Sequence, residues 1–171
     1  MKDKKALLIY LAAFVLMIVA VQCYRPSTDA GPVGVGQEAP RFMLRDISGR
    51  EVSLDQYKGK IVILDFWQTT CPPCRESMPM LDKIQEDYAG KLSILAINLG
   101  EPKNLVRDFI LRQNLTSRVL LDEDWSVGTQ YGAVAIPTQV LIDQEGVIRY
   151  GWTGYRWTMD AEIRAEINKL L

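Results

Sequence analysis

Asp65-Phe66-Trp67-Gln68-Thr69-Thr70-Cys71-Pro72-Pro73-Cys74 joins the end of an apolar run to the start of an amphipathic one. Ile61–Phe66 is apolar but for Asp65 and rich in β-branched residues, the mark of a strand buried on both faces. From Pro73 to Tyr88, the residues Met78, Leu81, Ile84 and Tyr88 recur at helical spacing. The two cysteines therefore stand where a buried strand hands over to a helix. Two intervening residues let one helical turn bring both sulfurs to bonding distance. Cys71 falls at the helix N-terminus, where unpaired N–H groups and the helix dipole favour a thiolate. Cys71 is the expected attacking nucleophile, and Cys74, one turn in, the shielded resolving thiol. Pro73 suits the first turn, where a missing N–H breaks no helical hydrogen bond, and the Pro72-Pro73 pair tunes the potential of the dithiol.

Composition narrows the chemistry further. The chain has 171 residues, three Cys and no His. Without imidazole there is no Ser-His-Asp or Cys-His catalytic arrangement and no His-bearing metal site. Twenty basic against 21 acidic residues, with no basic block, argue against a nucleic-acid binder. A purely structural disulfide closing so short a loop gains little chain entropy. A zinc site needs four ligands, which here only carboxylates can complete. A redox-active dithiol with no further cofactor and no metal is the favoured reading, against zinc or inert thiols.

Outward from this junction the signals alternate. Arg41–Asp46 and Glu51–Ser53 form a short hairpin around Ser48-Gly49, followed by a turn through Asp55–Gly59. Ser93–Asn98 reads as a second buried strand, and Leu105, Val106, Phe109 and Ile110 line a helix after Pro102. Arg118–Leu121 is a short strand and Asp124–Tyr131 a short helix. Thr138–Asp143 and Val147–Tyr150 flank a turn as a hairpin. Met159–Leu171 closes as a helix with Ile163, Ile167 and Leu170 inward. The pattern predicts an α/β domain with a central mixed sheet covered on both faces.

Residues 1–5 are basic, and an apolar run extends from Ala6 to Val21. With Cys23 and Tyr24 it approaches the ~20 residues that span a bilayer, so residues 6–24 are expected to be a transmembrane signal anchor. Ala20-Val21-Gln22 is a poor cleavage signal, and Gln22 before Cys23 spoils a lipoprotein signal. The lysines predict a single pass with the N-terminus in the cytoplasm and the catalytic domain on the extracytoplasmic, periplasmic side of the cell membrane. Residues 25–35, rich in Pro and Gly, read as a linker, and 36–171 as the domain. Without Lys2, Lys4 and Lys5 the remainder is mildly acidic.

The segment Phe66-Trp67 through Cys74, followed by Arg75 and Met78-Pro79, resembles the active site of thioredoxin-fold proteins. The closest likeness is the membrane-anchored TlpA/ResA-like branch of thiol-disulfide oxidoreductases. Gly36-Gln37-Glu38-Ala39-Pro40-Arg41-Phe42, with Leu44 and Asp46, resembles a lead-in shared with AhpC/TSA peroxiredoxins. Tyr131-Gly132, Ile136-Pro137-Thr138, Leu141-Ile142-Asp143, Gly146 and Gly154 match the branch's C-terminal half. The likeness covers roughly residues 35–171. It implies a thioredoxin fold with an N-terminal β-hairpin and an inserted helix around Asn104–Asn114, here preceded by the anchor.

The resemblance also implies roles. Pro137 corresponds to the family's cis-proline, and the backbone of Ile136 before it pairs with a substrate strand. Pro79 matches a helix-kinking proline. Asp65 matches the buried aspartate of thioredoxin. A carboxyl ending an apolar strand has a raised pKa and is placed to take the Cys74 proton; a solvated strand-end Asp is the alternative. Trp67, Thr70, Pro72 and Pro73 complete the candidate substrate surface, Trp67 chiefly as a packed shield. Implied partners are protein disulfides, apocytochrome c among them, and a membrane electron donor of the CcdA/DsbD type. Thr70 departs from the family's usual Trp. Ser77 stands where apocytochrome-directed members carry Glu. A peroxiredoxin-type thiol peroxidase is the alternative enzyme, but Gln68 occupies its Thr position. A copper-delivery protein, the non-enzymatic alternative, uses CxxxC and His, and neither is present. Tyr150, Trp152, Tyr155 and Trp157 are either a partner face or edge packing, with packing favoured.

Overall fold

The computed structural model describes residues 34–171. Its seven strands are β1 (Met43–Asp46), β2 (Glu51–Ser53), β3 (Ile61–Trp67), β4 (Leu92–Leu99), β5 (Arg118–Asp122), β6 (Thr138–Ile142) and β7 (Ile148–Thr153). Its helices are α1 (Pro72–Asp87), α2 (Lys103–Gln113), α3 (Ser126–Gln130) and α4 (Met159–Asn168). The strands form one mixed sheet in the order β2-β1-β5-β4-β3-β6-β7. β3, β4 and β5 are parallel, while β1, β6 and β7 run against their neighbours. This is the thioredoxin-like fold, with the hairpin β1–β2 added beyond β5.

β3 lies near the middle of the sheet, and all seven of its residues are buried. Its alternation sorts them. Val62, Leu64 and Phe66 join Leu95, Ile97, Leu99 and Tyr131 in the core on one face. Ile61 and Ile63 meet Leu81 and Ile84 of α1 and Ile163 and Ile167 of α4 on the other. Trp67 continues that second face into a cluster with Cys71, Cys74, Met78, Val106 and Phe109. The helix expected after Pro102 forms, but of the four apolar residues expected to line it only Val106 and Phe109 are buried; Leu105 is 40% exposed. Among the aromatics, Trp152 is buried with Tyr150 stacked on it at 4.6 Å, and Trp157 is exposed.

One expectation is corrected. No helix among the described residues is long and apolar enough to cross a membrane. The longest, α1, has 16 residues, short of the ~20 needed, and carries charges of both signs. The anchor-preceded architecture, with its single-pass topology and cytoplasmic N-terminus, is therefore replaced by a thioredoxin-like α/β domain with no spanning helix among the described residues. Residues 6–24, on which the anchor expectation rests, lie outside them.

A buried carboxylate fixes the route from β5 to the loop before β6. Asp122 is fully buried and accepts from Val127 N at 3.3 Å and Gly128 N at 2.7 Å, and also from Ser126 Oγ. It thereby satisfies donors at the start of α3, which have no partner within the helix. From α3 the chain passes through Tyr131, whose hydroxyl donates to Pro40 O at 2.6 Å, and into the loop before β6. Asp122→Ala strands these donors. It is expected to destabilise the domain by about 1–3 kcal/mol, read as a lower urea midpoint with an unchanged slope.

Candidate active site

Cys71 caps α1: its backbone is extended, with φ −89° and ψ 106°, and its Sγ accepts from Cys74 N at 3.2 Å. Pro72 and Pro73 occupy the first turn, where neither costs a helical hydrogen bond. The sulfurs are joined, with S–S 2.10 Å and Cα–Cα 5.3 Å, a separation ordinary for a disulfide. Cys74 is fully buried, whereas Cys71 is 8% exposed, so an incoming group reaches only the first sulfur. Thr70 and Pro72 are exposed beside it, Pro73 is half-buried, and Trp67 lies wholly inside against the dithiol.

The loop Gln68–Thr70 is held from both sides. Thr69 N and Thr69 Oγ1 each donate to the Glu101 carboxylate at 2.7 Å, and Asn98 Nδ2 adds a third donor at 2.7 Å. From the other side Arg75 Nε and Nη2 donate to Thr69 O at 2.9 and 2.7 Å. The Arg75 guanidinium lies 5.8 Å over the Phe109 ring. Gln68 Nε2 donates to Leu99 O at 2.8 Å. Glu101 escaped sequence reasoning because Gly100-Glu101-Pro102 reads as an exposed loop ahead of a helix. The parallel register that sets Trp67 opposite Asn98 brings it under the Cys71 loop. Gly100 makes the turn possible: its φ is +69°, and a Cβ there would lie 2.1 Å from Trp125 Nε1.

Asp65 sits between Ile63 and Trp67 on the strand face turned toward α1. It is 1% exposed, and its Oδ1 accepts from Gln139 Nε2 at 2.7 Å while Oδ2 has no partner. Burial pushes its carboxyl up to about 7; the Gln139 hydrogen bond opposes this and the Asp82 charge adds to it. This is the buried aspartate, not the solvated strand end. The Ile136–Pro137 bond is cis. Thr138, opposite Phe66 in the sheet, follows it directly, and Gly154 N donates to Pro137 O at 2.8 Å. Half-buried Ile136 packs against the cluster that holds both cysteines. The strand ends thus bring Cys71, Cys74, Asp65 and the 136–137 peptide into one region.

Comparison with known proteins agrees with this geometry. The model of the AhpC/TSA family matches residues 35–151. Thiol-disulfide oxidoreductase ResA of Geobacillus thermodenitrificans is 41% identical over 128 residues, covering 74% of each chain. A thioredoxin-like protein of Bacillus subtilis, YneN, is 39% identical over 67% of this chain and 68% of its own. Among solved structures, a candidate thiol:disulfide interchange protein DsbE from Chlorobium tepidum superposes with TM-score 0.76 at 29% identity, covering 80% of this chain and 97% of that one. The chain belongs to the ResA/DsbE-like thiol-disulfide oxidoreductases.

It is an enzyme of that class, and its redox centre is the Cys71–Cys74 disulfide. The membrane-anchored form of the family expected from the sequence is corrected to this ResA/DsbE-like assignment, since no described helix serves as an anchor. Two family departures have visible consequences. Ser77, where the sequence resemblance leads one to expect Glu, is buried and donates through Oγ to Cys74 O at 3.0 Å, a neutral contact. Gln68 spends its amide on a backbone carbonyl, so no hydroxyl stands at the peroxidase position. Among the described residues no cluster of three or more His, Cys, Asp or Glu side chains is placed to hold a metal ion.

Two outcomes follow from the buried carboxylates. Glu101→Ala leaves Thr69 N, Thr69 Oγ1 and the Asn98 amide without an acceptor and should cost about 1–3 kcal/mol in urea unfolding, whereas Thr69→Ser, which keeps both donors, should unfold like the parent. A carboxyl with a raised folded-state pKa keeps its proton in the fold up to about 7 but releases it near 3.8 when unfolded. Stability is therefore full below the lower value and declines as pH rises through the upper one. Asp65→Asn removes that decline. It should match the parent at low pH and exceed it above neutrality, by up to about 4 kcal/mol, measured by urea unfolding at the two extremes.

Proposed function

We propose that this oxidoreductase works as a protein-disulfide reductase, and the asymmetric burial of its two sulfurs carries the reading. Reduced Cys71, at the N-terminus of α1, attacks one sulfur of a substrate disulfide as the thiolate. A Cys71–substrate bond forms and the other substrate sulfur leaves as a thiolate. Cys74 then gives its proton to the Asp65 carboxylate, its sulfur attacks Cys71, and the substrate's second sulfur departs. The enzyme is left with the Cys71–Cys74 bond, and two electrons have passed to the substrate. Asp65 suits the proton step because a carboxyl near pKa 7 both accepts and releases a proton at neutral pH.

The backbone of Ile136, before Pro137, pairs with an extended substrate segment, and exposed Thr70 and Pro72 border the attacking Cys71 sulfur. The active dithiol is regenerated by a second dithiol protein, of the CcdA/DsbD kind. Apocytochrome c, which presents a CxxCH disulfide, is the client class that the family resemblance favours. Cys71→Ser should abolish turnover of a peptide disulfide. Cys74→Ser should accumulate stable mixed disulfides through Cys71 in cells. Trapped species lacking any apocytochrome would remove the maturation role, and no trapped protein at all would remove the reductase reading.

A further inference from the structure

Between α1 and the central strands lies a small cavity of about 10 Å³, the size of a single water. Its sides are apolar: Met78 and Leu81 from α1, Ile94 and Ala96 from β4. Its polar lining is confined to Asp65 on one strand and the Asp82–Ser117 pair, where α1 meets the start of β5. Asp65 is the side chain with something to offer such a water. Its Oδ1 is taken by Gln139, which does not line the cavity, and its Oδ2 is buried with no partner. A buried oxygen without a partner is costly unless a water satisfies it.

Asp82 is placed differently. It is half-buried and lines both this cavity and an open cleft of about 480 Å³ on the outer side of α1. It is the one residue common to the two linings among the described residues. Its oxygens accept from Thr116 N at 2.7 Å and Ser117 N at 2.9 Å, and from Ser117 Oγ, so the carboxylate is held in place between inside and outside.

We propose that one water in this cavity connects Asp65 Oδ2 to Asp82, and that Asp82 is the port through which Asp65 exchanges its proton with solvent. The inference rests on the reading of Asp65 as the acceptor of the Cys74 proton. After resolution Asp65 holds that proton with no exposed surface of its own. The proton passes to the water, the water gives one to Asp82, and Asp82 releases it into the cleft, so Asp65 returns to carboxylate for the next cycle. The ionisable groups facing this path are Asp82 on α1 and, on its outer side, Lys83 and Glu86; β4 contributes only Ile94 and Ala96, β6 the neutral Gln139.

The experiment uses the reduced full chain with carboxyl-¹³C aspartate, and an aromatic disulfide (5,5′-dithiobis-2-nitrobenzoate) as substrate. Its second thiolate release reports attack by Cys74. In Asp82→Asn, the Asp65 carboxyl should titrate at lower pH than in the parent, and the pH inflection of the second release should move with it. Ala96→Val, which fills the cavity and expels the water, should shift the same titration upward. Loss of the Asp82 charge by itself also lowers the Asp65 titration, so Ala96→Val, which keeps that charge, decides the water path: an Asp65 titration unmoved there overturns the port. Should Ala96→Val not fold, the rate of proton exchange of Asp65 with solvent in Asp82→Asn decides, read from the carboxyl ¹³C line width at mid-titration: a roughly tenfold slowing supports the port and an unchanged rate overturns it. Asp65→Asn separates the layers: a normal second release there removes the underlying reading and the port with it. A slowed release there, with the Asp65 titration unmoved in Ala96→Val, removes the port alone.

Discussion

The redox site depends on the complete burial of β3. A strand with both faces covered and both edges paired has no freedom to slip, because a one-residue shift would send Asp65 into the core now filled by Leu64 and Phe66. Its pairing with β4 sets Trp67 opposite Asn98, and its pairing with β6 sets Phe66 opposite Thr138. The first contact delivers Glu101 beneath the loop before Cys71. The second delivers the cis peptide at Pro137 beside it. The dithiol is positioned from two directions by one strand.

Buried carboxylates then take different roles according to how many donors reach them. Burial works against ionisation of Asp46, yet hydrogen bonds from Ser48, Arg118 and Arg50 outweigh it and hold its carboxyl well below the usual range. That residue ties the N-terminal hairpin to β5. Glu101 receives three donors and Asp122 also three, and both organise backbone: the Cys71 loop in one case, the start of α3 in the other. Asp65 receives one donor only, from Gln139. Its charge is left undercompensated, which suits a group that must gain and lose a proton near neutral pH.

Much of this was legible in the chain itself. The β-branched run at Ile61–Phe66, the helical spacing of Met78, Leu81 and Ile84, and the CxxC between them specify a buried strand, a helix and a dithiol at the junction, because burial and periodicity are local properties. In a chain without His, Asp65 is the carboxyl placed by sequence to take a proton beside the dithiol, and it is buried. The membrane anchor is a different matter: the apolar run, its flanking lysines and the poor cleavage signal point to residues 6–24, which lie outside the described residues, and no spanning helix stands among those described. Leu105 shows the same limit in small, since an apolar residue at helical spacing can still face outward.

The sequence by itself determined the element order, the identity of the dithiol and which cysteine begins the helix. Only the tertiary structure decided the strand order that places the hairpin beyond β5, the use of Glu101 to hold the Thr69 backbone, and the shared position of Asp82 between a small cavity and an open cleft. The physical reason is range. Hydrophobic period and turn chemistry are written within a few neighbouring residues. These carboxylates find partners 32 to 74 residues away, Thr69 for Glu101 at 32, Ser117 for Asp82 at 35 and Gln139 for Asp65 at 74, and those distances close only when the sheet has chosen its register.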